Sequence, residues 1–294
     1  MPATPASRDP IDLDYLGNDR TIGVYLVETD DGLALFDCGP ATAIAGLERG
    51  LDERGLTLDD VRHLLLSHIH FDHAGAAGVL VRDHPHLQVH VSEIGAPHLA
   101  DPRRLEASAR RLYGEAFDTL WGELAPVPEA NLRLVGPRVL GLECFPAQGH
   151  AKHHVCYVGR DGTLYAGDAA GVRIMPERYV APVSPPPDID LEAWADTIDE
   201  IQRRAPERLA LIHFGVVAEP AEHLARLREE LARWAERVRS GMGSDEFEAA
   251  VRADVGAGAD LYERAGPFWQ SWQGLRRYWD KRAEAAAASR DTSA

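Results

Sequence analysis

Cysteine, lysine and long apolar runs are all scarce in this chain, and each scarcity excludes something. The three cysteines, Cys38, Cys144 and Cys156, are odd in number and form no Cys-x-x-Cys pair. That argues against a disulfide framework and reads as plain packing. No run approaches the ~20 apolar residues that a membrane span needs. The segment Met1 to Tyr15 carries proline and aspartate but no apolar core, so no signal peptide is expected and the expected address is cytoplasmic. Positive charge is also short: 31 basic residues stand against 47 acidic ones, a net charge of −16. A phosphate-backbone binder needs a basic surface, so nucleic acid is not the expected partner. Of the basic residues only Lys152 and Lys281 are lysines, a bias that reads as GC-rich bacterial coding and carries no mechanism.

What is present is ordinary for a folded chain. The 294 residues are 45% hydrophobic and 27% charged, too apolar for disorder and long enough for one large domain or a domain plus an extension. Residues 22–28 and 33–37 are strand-like, with Asp31-Gly32 as a hairpin signal between them. A helical stretch near 41–54 precedes Val61–Leu66, a short apolar run that reads as a buried strand. Helix is expected at 74–82 and 105–121, and strand at 87–91, 132–135, 139–145, 155–158 and 163–166. The Pro-rich stretch 182–188 suits neither helix nor inner strand. Asp190 can cap the helix that carries Leu191, Trp194, Ile198 and Ile201, and 209–212 is expected as the final strand. From Pro220 onward the pattern is helical. Leu224, Leu227, Leu231, Trp234 and Val238 form one stripe, Phe268, Trp272, Leu275 and Trp279 another, and the end after Lys281 is expected to fray.

The chemistry concentrates at Ser67-His68-Ile69-His70-Phe71-Asp72-His73. Thirteen histidines in 294 residues place roughly 0.3 in a six-residue window by composition; this window holds three and an aspartate. It leaves a buried strand end, where a rigid scaffold presents ligands. His68 and His70 are two apart and point the same way in an extended segment. Asp72 and His73 diverge from that pair and can serve a second centre. Imidazole with carboxylate suits zinc, and also iron or manganese. Two ions need more donors than these four. His150 follows a strand in Gln148-Gly149-His150, Asp168 follows Leu164-Tyr165-Ala166-Gly167, and His213 follows Leu209–Ile212. Asp37, in Asp37-Cys38-Gly39, either orients an imidazole or caps a turn. His63, His84, His86, His90, His98 and His223 have no such context and read as structural or solvated.

The ordered set His68-x-His70-x-Asp72-His73, Gly149-His150, Gly167-Asp168 and His213 resembles the metallo-β-lactamase superfamily over roughly residues 20–215. The resemblance implies an α/β fold, a four-layer αββα sandwich with a metal site on one rim. Residues 1–219 would form this metal hydrolase domain and 220–294 a helical C-terminal extension. Carried over position by position, His68, His70 and His150 would hold one divalent ion, Asp72, His73 and His213 a second, and Asp168 would bridge. Asp72 and Asp168 would be the catalytic carboxylates. Zinc is the first expectation for both ions, with iron or manganese as alternatives, and in this family a hydroxide lies between the metals.

The implied activity is hydrolysis of a small-molecule ester, thioester or lactone; a lactonase, a phosphodiesterase or a metal-binding regulatory domain are the alternatives. Gly149-His150-Ala151-Lys152-His153-His154-Val155-Cys156-Tyr157 is similar to the Gly-His-Thr-x-Gly-His-x-x-Tyr stretch of glyoxalase II-like hydrolases, with His154 on the second histidine and His153 in place of a glycine. The continuation after Asp168 departs from glyoxalase II. Quorum-lactone hydrolases carry a substrate-orienting tyrosine shortly after the bridging aspartate, where this chain has Gly171; Tyr179 is the candidate substitute. The aromatic tail is expected to dock on the sandwich, with a substrate lid or a homodimer contact as other readings.

Overall fold

In the computed structural model, which describes residues 9–291, two mixed sheets lie face to face with helices outside. The first sheet comprises β1 (Ile11–Asp12), β2 (Gly23–Thr29), β3 (Gly32–Phe36), β4 (Val61–Leu65), β5 (Gln88–Val91) and β6 (Leu132–Leu134). Among these strands run α1 (Ile44–Asp52), α2 (Phe71–Ala74), α3 (Ala77–Asp83), α4 (Ala96–Ala100), α5 (Arg103–Tyr113) and α6 (Phe117–Leu120). The second comprises β7 (Arg138–Val139), β8 (Leu142–Pro146), β9 (Val155–Val158), β10 (Thr163–Tyr165), β11 (Arg208–Leu211) and β12 (Gly215–Val217), with α7 (Leu191–Arg204) between β10 and β11. Helices α8 (Pro220–Arg239), α9 (Ser244–Val255), α10 (Ala259–Ala265) and α11 (Phe268–Asp291) follow. Strand order is β1-β2-β3-β4-β5-β6 in one sheet and β12-β11-β10-β9-β8-β7 in the other. The αββα sandwich implied by the sequence is therefore the architecture found.

Period-two alternation decides which core each side chain joins. On β9, Tyr157 enters the inter-sheet core, where its ring meets Phe36 of β3 edge-on at 5.9 Å, while Cys156 faces the helical side. On β11, Ala210 turns inward and Leu209 and Leu211 turn out toward Trp194, Leu224 and Trp234. The second sheet is thus buried on both faces. The last four helices share its outer core: Phe268 and Leu275 are fully buried, and Phe268 meets Trp234 edge-on at 6.0 Å.

Several expectations change. Residues 138–146 form two strands, not one, because Leu140 and Gly141 both take positive φ and make a two-residue hairpin turn. The helix expected over 105–121 is broken into α5 and α6 by a 3₁₀ turn at Gly114–Ala116. A further three-residue strand, β12, follows His213 and pairs antiparallel with β11, so 209–212 is not the last strand. Helix α11 continues to Asp291 instead of fraying at Lys281, which suits the strong helix formers of Ala283-Glu284-Ala285-Ala286-Ala287-Ala288. Asp190 caps α7 as expected, its carboxylate accepting from Ala193 N at 3.0 Å. Residues 1–8 of the Met1–Tyr15 segment and residues 292–294 of the tail lie outside the described residues. Among the described residues, no helix is long and apolar enough to cross a membrane.

Candidate metal centre

Strand direction gathers the site. β3 and β4 run parallel and so do β10 and β11, and their carboxyl ends share one rim. Asp37 leaves β3, Ser67 and His68 leave β4, Asp168 follows β10 and His213 follows β11. His150 joins them from the loop between the antiparallel β8 and β9.

Three donor atoms meet on one side. His68 Nε2 lies 2.8 Å and His150 Nε2 3.0 Å from His70 Nδ1. On the other side Asp72 Oδ2 lies 3.7 Å from His73 Nε2 and 3.3 Å from His213 Nε2. Asp168 stands between the two groups. Its Oδ2 is 3.4 Å from His150 Nε2, and its Oδ1 is 3.4 Å from His73 Nε2 and 3.8 Å from His213 Nε2. All seven residues read from the sequence are therefore brought together. His70 and Asp72 are half-buried and the other five are buried, so the site opens between His70 and Asp72.

The outward nitrogens fix the tautomers. His73 Nδ1 donates to Asp37 Oδ2 at 2.8 Å, His150 Nδ1 to Val183 O at 2.9 Å and His213 Nδ1 to Thr21 O at 2.6 Å. His68 Nδ1 donates to Ser67 Oγ at 2.9 Å, and Ser67 Oγ donates on to Asp37 Oδ2 at 2.7 Å. Asp37 is 0% exposed, so its role is to orient imidazoles, not to cap a solvated turn. With each Nδ1 committed as a donor, the Nε2 atoms of His68, His73, His150 and His213 present lone pairs to the centre. Lone pairs and carboxylate oxygens crowd one another there. His73 Nε2, Asp168 Oδ1 and His213 Nε2 are buried with no hydrogen-bond partner. Buried polar atoms without partners are costly, and cations shared among them remove the cost. The donor set fits divalent metal.

Electrostatics agrees. Burial depresses His68 and His70 well below the usual imidazole range, and the neighbouring imidazoles push the same way, leaving neutral ligands. Burial also works against charge on His73, but the carboxylates of Asp168, Asp72 and Asp37 outweigh it and hold that imidazole well above its usual value. Burial acts to raise Asp72, yet His73 and His213 bring it down to about 2. In the absence of a metal, a proton is drawn to the position that a cation suits.

Several residues near the centre are visible only in three dimensions. His154 is not a donor to the centre: its Nε2 accepts from Asp168 N–H at 3.1 Å and its ring stacks on His68. His153 Nδ1 accepts from Ile69 N–H at 3.4 Å. Tyr179 does not face the centre, because its hydroxyl donates to Glu230 at 3.0 Å and accepts from Trp234 Nε1 at 2.9 Å within the helical core. Beside Asp72, Phe71, Tyr113 and Tyr15 surround Trp121, with ring centroids 5.6, 5.4 and 6.1 Å from it. Gln270 of α11 donates to the Tyr113 hydroxyl at 3.2 Å. Burial, with the Asp72 charge adding, pushes the Tyr113 phenol up to about 12. His63 and His90, read as structural, form a buried pair in which His90 Nε2 donates to His63 Nδ1 at 3.1 Å.

A rim of histidines and aspartates at the strand ends of an αββα sandwich defines a candidate metal-binding site. The chain belongs to the Metallo-beta-lactamase superfamily, whose sequence profile matches residues 18–216. It is 28% identical over 176 residues to the probable metallo-hydrolase Rv2300c of Mycobacterium tuberculosis, covering 50% of this chain and 56% of that protein. It is 32% identical over 135 residues to a hydroxyacylglutathione hydrolase of Photobacterium profundum, covering 46% of this chain and 40% of that protein. The chain thus spans about half the length of these curated relatives. Among solved structures, the superfamily protein ST1585 from Sulfolobus tokodaii superposes with a TM-score of 0.66 at 21% identity, covering 92% of this chain and 96% of that one.

Proposed function

We propose that this chain is a hydrolase that uses two divalent ions, zinc in the first instance, to cleave a small ester, thioester or lactone. The observation that carries this reading is that the outward nitrogens of His73, His150 and His213 all donate, while three inward atoms, His73 Nε2, His213 Nε2 and Asp168 Oδ1, are buried with no hydrogen-bond partner. His68, His70 and His150 would hold one ion and Asp72, His73 and His213 the other, with Asp168 standing between the two groups. Iron or manganese accept the same donors.

When bound, the cations polarise a carbonyl and render water nucleophilic at neutral pH. The chain's own residues do the rest. Asp37, Ser67 and the carbonyls of Thr21 and Val183 keep each imidazole turned and in the required tautomer. Asp72 and Asp168 remain ionised and offset the positive charge. The opening between His70 and Asp72 admits the scissile group, and the wall formed by the half-buried rings of Trp121 and Tyr113, backed by Phe71 and Tyr15, offers apolar area to the rest of the substrate. That wall favours a carbonyl ester over a phosphodiester, and similarity to a hydroxyacylglutathione hydrolase supports including thioesters.

The test is elemental analysis of metal-replete protein together with a panel of ester, thioester, lactone and phosphodiester substrates. About two ions per chain and turnover of at least one carbonyl substrate are expected. One ion or fewer, with His213 unliganded in a crystal structure, sinks the two-ion reading. Turnover confined to phosphodiesters sinks the substrate reading.

A further inference from the structure

The turn that carries Asp168 is gripped by three buried side chains from three different elements. His154, just before β9, accepts from Asp168 N–H at 3.1 Å. Trp194 of α7 donates Nε1–H to Ala169 O at 2.8 Å. His223 of α8 donates Nε2–H to Ala170 O at 2.7 Å. Trp194 and His223 are both fully buried. Three consecutive residues of one turn therefore have a main-chain group tied to a side chain from elsewhere. The flanking positions are equally determined. Gly167 and Gly171 have φ of +49° and +70°; a Cβ would meet Ser67 and His154 at 2.7 Å in the first case and Leu227 of α8 at 2.8 Å in the second.

Two of these side chains sacrifice a polar atom to make the grip. With Nε2 donating to Ala170, His223 Nδ1 is a bare lone pair, and it is buried with no partner. With Nε2 accepting from Asp168, His154 Nδ1 carries the proton, and it too is buried with no partner. An apolar residue at 223 would extend the stripe of Leu224, Leu227 and Leu231 and leave no such atom. What the imidazole supplies that a leucine cannot is the bond to the Asp168 turn.

We propose that His223 and Trp194 are positioning residues for the metal centre. They set where the Asp168 carboxylate stands between the two donor groups by holding the carbonyls of Ala170 and Ala169. The consequence is that α8, which lies outside the matched residues 18–216, contributes to metal affinity. This inference deepens the proposed function and rests on its placement of Asp168 between two ions.

The experiment uses the full chain, stripped of metal and titrated with Zn²⁺ against a chromophoric chelator, with Co²⁺ spectra as a second readout. His223→Leu and Trp194→Phe remove the donors, His223→Gln keeps one, and Leu231→Ala loosens α8 without touching the turn. Expected is a loss of about 10- to 100-fold in affinity for the more weakly held ion in His223→Leu and Trp194→Phe, with an altered Co²⁺ spectrum. His223→Gln should recover most of that affinity and Leu231→Ala should retain it. Unchanged affinity and spectra in both donor-less variants overturn the proposal. So does a loss in Leu231→Ala as large as in His223→Leu, since the effect would then be general stability. A wild-type stoichiometry of one ion refutes the two-ion reading, while the variant-to-wild-type affinity ratio still decides this inference.

Discussion

Replacing Asp37 by asparagine changes one atom and should disable donors in both metal groups. In the native arrangement Asp37 Oδ1 accepts from Ser67 N–H at 2.7 Å, and Oδ2 accepts from Ser67 Oγ–H and His73 Nδ1–H. In Asp37→Asn the amide oxygen stays opposite the Ser67 N–H, so the NH₂ takes the place of Oδ2. It donates to Ser67 Oγ and to His73 Nδ1. His73 must then carry its proton on Nε2, the nitrogen that faces the centre. Ser67 Oγ–H, displaced, turns to His68 Nδ1 at 2.9 Å and moves that proton to Nε2 as well. Metal binding must undo both shifts and oppose two buried donors. An unpaired buried polar group costs about 1–3 kcal/mol, which is about 5- to 150-fold in affinity at each site. Competition titration with a chelator reads the affinities, and circular dichroism of the metal-free protein checks the fold. Native affinity at both sites in a folded Asp37→Asn protein would refute the tautomer argument.

Other outcomes follow from the same structure. Asp168→Ala should lose most activity and the more weakly held ion while circular dichroism stays near wild type; full turnover with both ions bound would remove its bridging role. Burial, with the neighbouring His63 adding, depresses His90 from 6.5 to about 4, so between those values the unfolded chain binds a proton that the folded chain refuses. Stability from this group is complete above about pH 6.5 and falls on acidification toward 4, by up to about 3 kcal/mol. Urea unfolding of His90→Gln and wild type at pH 7 and 4.5 should show a shallower acid loss in the variant, and parallel losses would count against the burial argument. Tyr113→Ala and Gln270→Ala should raise KM or change acyl preference while leaving metal content intact; unchanged kinetics across the substrate panel would make their contact purely structural. Deleting residues 260–294 is a poorer probe of the pocket, because it strips Phe268 and Leu275 from the core and uncovers Trp234, and insolubility is the expected result.

Much of the centre could be read locally. His68, His70, Asp72 and His73 sit within six residues, and a strand running into a polar loop constrains them almost regardless of the rest of the chain. Asp168 and His213 follow apolar runs, and His150 sits in the loop between two others, so a strand-end rule finds all three once the first cluster has shown that metal is at issue. The helical stripes from Leu224 to Val238 and from Phe268 to Trp279 were equally plain, because a 3.6-residue period survives without tertiary context. Two-residue and three-residue strands were not: β7 and β12 owe their existence to hydrogen bonds from β8 and β11, and carry too few residues to show a period.

What lay beyond the sequence was relations between distant side chains. Asp37 is 36 positions from His73 and 30 from Ser67, and only the parallel register of β3 with β4 puts its carboxylate beneath them. Read alone, His223 was one more histidine on a helix, and Trp194 one more apolar marker. Their bonds to Ala170 and Ala169 arise because α7 and α8 pack over the outer face of the second sheet. The contact between Tyr113 and Gln270 spans 157 positions and forms only when α11 docks. The residue types and spacings determined which chemistry this protein can support, since ligand identity is a property of side chains. Which nitrogen faces the centre, which carbonyl holds which turn and where the site opens were decided by tertiary packing, since hydrogen-bond direction depends on a partner brought from elsewhere in the chain.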